Sequence, residues 1–110
     1  MDRSRLTKQE WVNWGSRAVW EIPSVRSNAE HDSKFPVELP RRVIKLFTET
    51  DDIVLDCFMG SGTTTIAAMS EGRKYIGIDK EKRSVEIAFD SVSSFEQSEK
   101  EREQLDLFIR

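Results

Sequence analysis

The densest group of residues able to do chemistry is Asp56-Cys57-Phe58-Met59-Gly60-Ser61-Gly62-Thr63-Thr64. An acid closes the apolar run Ile53-Val54-Leu55, and Gly60 and Gly62 follow it directly. Glycines at such a turn let the backbone pass close to a ligand that side chains would hold off. The threonines after Gly62 open a helical pattern, and a helix start offers unpaired N–H groups and the positive end of its dipole. A second acid, Asp79, closes the next apolar run, Tyr75-Ile76-Gly77-Ile78. An acid so placed can accept from both hydroxyls of a ribose. Together these residues suit a ligand of nucleotide type.

Three such ligands can be weighed. A phosphate-binding P-loop needs Lys-Ser/Thr after its second glycine, where Thr63-Thr64 stand. A dinucleotide site wants a third glycine three residues after Gly62 for close approach to a pyrophosphate, and Thr65 occupies that place. S-adenosylmethionine has no phosphate and calls for one acid at its amino group and another at its ribose. Asp56 and Asp79 fit that ligand best.

The elements that must position these residues follow from the pattern. Ile53 to Phe58 reads as a buried parallel strand, because it is a short and nearly continuous apolar run. Thr63 to Ser70 reads as a helix with Gly72 past its end, and Tyr75 to Asp79 as a second strand. Lys80 to about Phe95 reads as an amphipathic helix with Val85, Ala88, Phe89, Val92 and Phe95 inside. Strand, glycine turn, helix, strand, helix is a βαβ unit. The expected fold class is therefore α/β, Rossmann-like, with parallel strands and a sheet incomplete in this chain. Upstream, Thr7-Lys8-Gln9-Glu10 has the form of a capping box ahead of Trp11, Val12 and Trp14, and Gly15 should end that short helix. Val19 to Ile22 reads as an extended segment, a candidate third strand, stopped by Pro23. Ser24 to Lys34 reads as a loop. Phe35-Pro36 opens a helix whose apolar stripe is Val43, Ile44 and Phe47, and Asp51-Asp52 makes a turn.

Composition narrows the class. The 110 residues allow one domain with a modest core. No apolar run is long enough to span a membrane, and no apolar segment follows the N-terminal Met1-Asp2-Arg3. A single cysteine, Cys57, supports neither a disulfide framework nor a metal cluster, so a reducing cytoplasm is the expected compartment. The thiol reads as core. A net charge of -3 is not that of a strong phosphate binder. Arg41, Arg42 and Lys45 can share one helix face, read here as solvated.

The residues also carry a resemblance. Val54 to Thr64, followed by Gly72-Arg73-Lys74-Tyr75-Ile76-Gly77-Ile78-Asp79, resembles the cofactor motif of DNA methyltransferases that modify adenine N6 or cytosine N4. The upstream run is similar too. Trp20-Glu21-Ile22-Pro23, then His31-Asp32-Ser33-Lys34-Phe35-Pro36 and Leu39-Pro40-Arg41-Arg42-Val43-Ile44, resembles the motif that in this family folds over the methionine end of the cofactor. That order is the arrangement of the β class. The resemblance spans roughly residues 6 to 92. It implies an S-adenosylmethionine-dependent enzyme of restriction-modification type, acting on a DNA base turned out of the duplex. The implied cofactor residues are Asp56, Phe58, Gly60, Ser61, Gly62, Thr63 and Asp79, with Lys34, Phe35 and Pro36 from the upstream motif.

Three departures accompany it. Cys57 stands where the family usually has proline, and Asp32 where proline usually follows the histidine. The catalytic Asp/Asn/Ser-Pro-Pro-aromatic motif is missing, since Pro23, Pro36 and Pro40 are the only prolines and none are adjacent. The expectation is a cofactor-binding lobe over residues 1–95, inactive alone and completed by an upstream catalytic and target-recognising half or by self-association. The rival is a non-catalytic remnant that keeps only the cofactor site or a sliding-clamp-binding tail peptide. His31, the single histidine, reads as a loop residue near the cofactor. Trp11, Trp14 and Trp20 read as core rather than as a platform for bases. Residues 96–110 read as a charged tail. Within it, Gln104-Leu105-Asp106-Leu107-Phe108 resembles the peptide by which bacterial DNA-processing proteins dock on the sliding clamp, making Gln104, Leu105, Leu107 and Phe108 the candidate contacts.

Overall fold

The computed structural model describes residues 5–24 and 35–109, and for Phe108 and Ile109 the backbone alone. Lys34 and His31 lie outside the described residues. The capping box forms as its sequence requires: Thr7 Oγ1 accepts from the Glu10 N–H at 3.1 Å and Glu10 Oε2 accepts from the Thr7 N–H at 2.9 Å. It starts α1 (Lys8–Glu10), which widens into a π-helical turn over Trp11–Gly15. Then come α2 (Glu38–Phe47), β1 (Ile53–Asp56), α3 (Thr63–Ser70), β2 (Lys74–Gly77) and α4 (Lys82–Ile109).

The two strands pair in parallel, with Ile53 opposite Lys74 and Asp56 opposite Gly77. Both therefore deliver their last residues to the same edge of the sheet. The turn after α3 shows why Gly72 is there. It takes φ 73, donates to the Met69 carbonyl at 3.1 Å, and lets Arg73 N–H reach the Ala68 carbonyl at 2.8 Å, so the helix ends on satisfied groups. Arg73 is buried and joins this turn to the one before β1. It donates to Thr48 Oγ1 (2.9 Å), to the Thr48 carbonyl (2.7 Å) and to the Glu71 carbonyl (2.7 Å).

The core is small. Ile44 of α2 meets Ala67 and Ala68 of α3, with Val54 of β1 packed against them. Alanines on α3 let the two helices and the sheet approach closely. The expected α2 stripe is corrected here. Pro40, Ile44 and Leu46 are buried, while Val43 and Phe47 are exposed, because α2 meets α3 through its other side. The expected burial of β1 is corrected as well. Only the Val54 side of the sheet is covered. On the opposite side Ile53, Leu55 and Ile76 remain 63%, 58% and 50% exposed, since no element among the described residues lies over them. Val19 to Ile22 carries no regular secondary structure and joins no sheet, so the sheet has two strands among the described residues.

Helix α4 follows β2 and packs on α3 through Ala88, which is buried. Val85 and Phe89, expected inside, are exposed: the helix stands off from the sheet and leaves a cavity of about 260 Å³ that Val85 and Phe89 line with Met59, Thr65, Tyr75 and Val92. No break appears after Phe95, and the helix runs on through the segment read as a tail to Ile109.

Gly62 fixes where α4 can lie. It caps α3 with φ 89, and a Cβ placed on it would meet the Ala88 Cβ at 3.1 Å. Gly62→Ala is expected to destabilise the chain by about 2–3 kcal/mol, combining left-handed backbone strain with overpacking against α4. Chemical denaturation monitored by circular dichroism measures it, and an unchanged midpoint would mean that α4 shifts without cost.

Candidate cofactor site

The site lies at the carboxyl edge of the sheet. β1 ends at Asp56, and the chain turns through Cys57–Gly62 into α3. Asp56 holds this turn, its Oδ1 accepting from the Phe58 N–H at 3.0 Å. The turn is tied to the end of β2 by the Met59 N–H, which donates to the Ile78 carbonyl at 3.0 Å, while the Ile78 N–H donates to the Asp56 carbonyl at 2.9 Å. Asp79 then bridges the two loops. Its Oδ2 accepts from the Gly60 N–H at 3.0 Å and its Oδ1 from the Glu81 N–H at 2.8 Å. Charge-assisted bonds of this kind are stronger than neutral ones, so the Asp79 carboxylate is held in one orientation at the start of α4.

Around it opens a cleft of about 570 Å³ lined by Cys57, Phe58, Gly60, Asp79, Lys80 and Ser84, among others. That size suits a small organic ligand. Phe58 is 90% exposed, so its ring is open to a flat partner. Of the sequence-derived residues, Phe58, Gly60 and Asp79 share this cleft. Asp56 stabilises the adjoining turn, and Gly62 and Thr63 are buried at the head of α3. Ser61 sits between them, half-buried. Phe35 and Pro36 precede α2 and are not among the residues lining the cleft. Cys57 is exposed in the cleft and not in the core, because the turn carries it past the end of β1. Lys80 and Ser84 were missed by the motif reading, although their places directly after Asp79, at the start of the next helix, point to the same edge.

The basic trio of α2 is not a solvated face. Arg41 pairs with Glu38 (2.7 Å) and Glu71 (3.0 Å), Arg42 with Glu38 (2.9 Å), and Lys45 with Glu10 (3.1 Å). All three cations also lie 5.4–5.7 Å from the centre of the Trp14 ring, and Arg42 is 5.7 Å from that of Trp20. The tryptophans are half-buried rather than core, with cations stacked on Trp14 and Trp20 and Arg5 over Trp11 at 5.5 Å. Hydrogen bonding from Arg41 holds the Glu38 carboxyl below its ordinary value against the opposing effect of burial. At Glu10 burial pushes the carboxyl up, but the Thr7 N–H and Lys45 together outweigh it and the net direction is down. This cluster anchors the N-terminal turn onto α2, on which Arg5 also donates to the carbonyls of Lys45 (2.8 Å) and Leu46.

Among the described residues no group of three or more His, Cys, Asp or Glu is placed to hold a metal ion, and no helix is long and apolar enough to cross a membrane.

A family model described as DNA methylase matches residues 2–90. The Type II methyltransferase M.BglI of Bacillus subtilis is 54% identical over 95 residues, covering 86% of this chain and 27% of that protein. The Type II methyltransferase M.ScaI of Streptomyces caespitosus is 35% identical over 88 residues, covering 73% and 29%. The crystal structure of a DNA modification methylase from Thermus thermophilus, complexed with S-adenosyl-L-methionine, superposes with a TM-score of 0.71 at 32% identity over 84% of this chain and 35% of that one. The chain thus spans under a third of the length of the two curated relatives. With the glycine turn, the paired strand ends and the matched residues in agreement, the chain belongs to the DNA methylase family.

Proposed function

We propose that this chain is the cofactor-holding part of a site-specific DNA methyltransferase, one that moves a methyl group from S-adenosylmethionine to adenine N6 or cytosine N4. The observation that carries it is Asp79, fixed by the Gly60 and Glu81 N–H groups at the mouth of the cleft. When bound, the cofactor supplies a methyl group made electrophilic by its sulfonium. This chain's residues hold and orient. Asp79 would accept from the ribose hydroxyls, Phe58 would cover a flat face of the nucleoside, and Gly60 keeps the wall free of side chains. Asp56, Ser61, Gly62 and Thr63 shape the turn beside the methionine end, with Lys34, Phe35 and Pro36 assigned to the same end by the family motif. The residues that hold the flipped base belong to a Pro-Pro-aromatic motif on another stretch of chain. The partners in this reading are duplex DNA, a complementary catalytic polypeptide or second copy, and a bacterial sliding clamp at Gln104–Phe108.

Calorimetry on the purified chain tests the cofactor assignment. Weak binding of S-adenosylmethionine and none of NAD are expected, because Thr65 stands where a pyrophosphate site needs glycine. Asp79→Ala is expected to weaken binding at least tenfold, or about 1.4 kcal/mol, the scale of a hydrogen bond to a charged group. Equal affinity in wild type and variant would remove Asp79 from the site.

A further inference from the structure

Helix α4 supplies part of the cofactor cleft and is loosely held behind it. At its start Lys80 and Ser84 line the cleft together with Phe58 and Gly60. One turn on, the buried Ala88 rests against Gly62, so closely that a Cβ on the glycine would lie 3.1 Å from the Ala88 Cβ. Beyond that contact, no side chain of the helix is hydrogen-bonded or ion-paired to another element among the described residues. Gln97 pairs with Glu101, Ser98 with the Ser94 carbonyl and Arg102 with Glu99, all within α4. Between α4 and β2 lies the cavity of about 260 Å³. Its walls are largely apolar, with Val85, Phe89 and Val92 from the helix and Met59 and Tyr75 from the glycine turn and the strand. Phe89 is 70% exposed.

Protein interiors are close-packed, and a gap between apolar walls forfeits the contacts those walls would make. Both walls here belong to this chain, so the helix itself can fill the gap. The contact it turns on permits that. Gly62 has no side chain and Ala88 only a methyl, so no interlocked side chains must part when the helix moves on α3. The Asp79 carboxylate, which accepts from the Gly60 and Glu81 N–H groups, keeps the start of α4 tethered to the glycine turn meanwhile. We propose that α4 is a lid. With S-adenosylmethionine in the cleft it rolls on the Gly62–Ala88 contact toward β2, seats Phe89 and Val92 in the cavity and brings Lys80 and Ser84 onto the ligand. Apolar burial behind the contact and ligand contacts at the start of the helix then support each other, which is a coupling between two places on one element. Phe89 is thereby a positioning residue for a cleft it does not line. The proposal rests on the cofactor reading of that cleft and adds a closure to it.

The experiment titrates the full chain, labelled with ¹³C at its valine methyls, with S-adenosylmethionine, and calorimetry measures affinity in parallel. In the bound state a nuclear Overhauser effect is expected between the Val92 methyls and the Tyr75 ring, absent without ligand. Phe89→Ala is expected to weaken binding about fivefold or more, and Phe89→Leu, which still fills the cavity, to restore most of it. Phe89 is exposed in the open form and alanine suits a helix, so Phe89→Ala leaves the unliganded fold in place, which circular dichroism verifies. The Val92–Tyr75 contact decides the point in the wild type whatever the stability of the variants. Binding without that contact overturns the lid and leaves the cofactor reading standing, and so does equal affinity in wild type and Phe89→Ala. Absence of binding by the wild type overturns the cofactor reading and the lid with it.

Discussion

Mixed with labelled S-adenosylmethionine and duplex DNA, the purified chain is expected to transfer no methyl group, and to gain transfer when a polypeptide carrying an Asp/Asn/Ser-Pro-Pro-aromatic segment is supplied. The amino group of a base inside the stack cannot reach a methyl donor, so the base must be turned out and held. Holding it converts an encounter between two molecules into an oriented attack, and loss of such positioning removes several powers of ten in rate. Nothing in these 110 residues matches the segment that would do so, because Pro23, Pro36 and Pro40 stand apart. The difference between the chain alone and the complemented pair should be on the order of 10³-fold or more. Filter-bound counts from single-stranded and duplex substrates measure it, with Asp79→Ala in the complemented pair as the control for the cofactor site. Incorporation by the pure chain would sink the division of labour proposed here.

Purified alone, the chain is also expected to be marginally folded or to self-associate, and to become a well-behaved species when its partner is added. Ile53, Leu55 and Ile76 share one side of the two-stranded sheet with Lys74, and each of these three apolar residues is at least half exposed. Completing their burial would contribute roughly 1 kcal/mol apiece, a large fraction of the roughly 5–15 kcal/mol by which whole domains are stable. A two-stranded sheet also offers unpaired N–H and C=O groups along its edges, ready to join another chain. Sedimentation velocity and thermal melting measure the state. Leu55→Glu with Ile76→Glu should suppress self-association, because both charges fall on the open side. A monodisperse wild-type monomer with a sharp, high melting transition would show that the lobe closes by itself.

Much of the site was legible locally. An apolar run ending in Asp56, glycines at 60 and 62, and a second run ending in Asp79 require two parallel strands joined by a tight turn and a helix, and that geometry places Phe58, Gly60 and Asp79 on one cleft. The capping box at Thr7 and the stop at Gly72 were equally readable, because each is satisfied by atoms within a few residues. The reach of α4 was misjudged since its apolar stripe ends at Phe95. Glu, Lys, Arg and Gln favour helix without a stripe, and neither glycine nor proline interrupts them.

What only the tertiary structure decided is which surfaces meet. Hydrophobic pattern marks Ile53 and Leu55 as residues suited to burial, but burial needs a covering element, and none lies over them among the described residues. Val43 and Phe47 turn outward for a related reason: α2 can present only one side to α3, and the small alanines at 67 and 68 draw in Ile44. Arg73 and Thr48, or Arg41, Arg42 and Trp14, lie far apart in sequence, so no local spacing announces their contacts. The sequence by itself determined the βαβ turn and the two acids at its edge, because those depend on backbone freedom and neighbouring side chains. The packing of α2, the stand-off of α4 and the open side of the sheet depend on the shape left over when the rest of the chain is in place, and only the folded structure carries that.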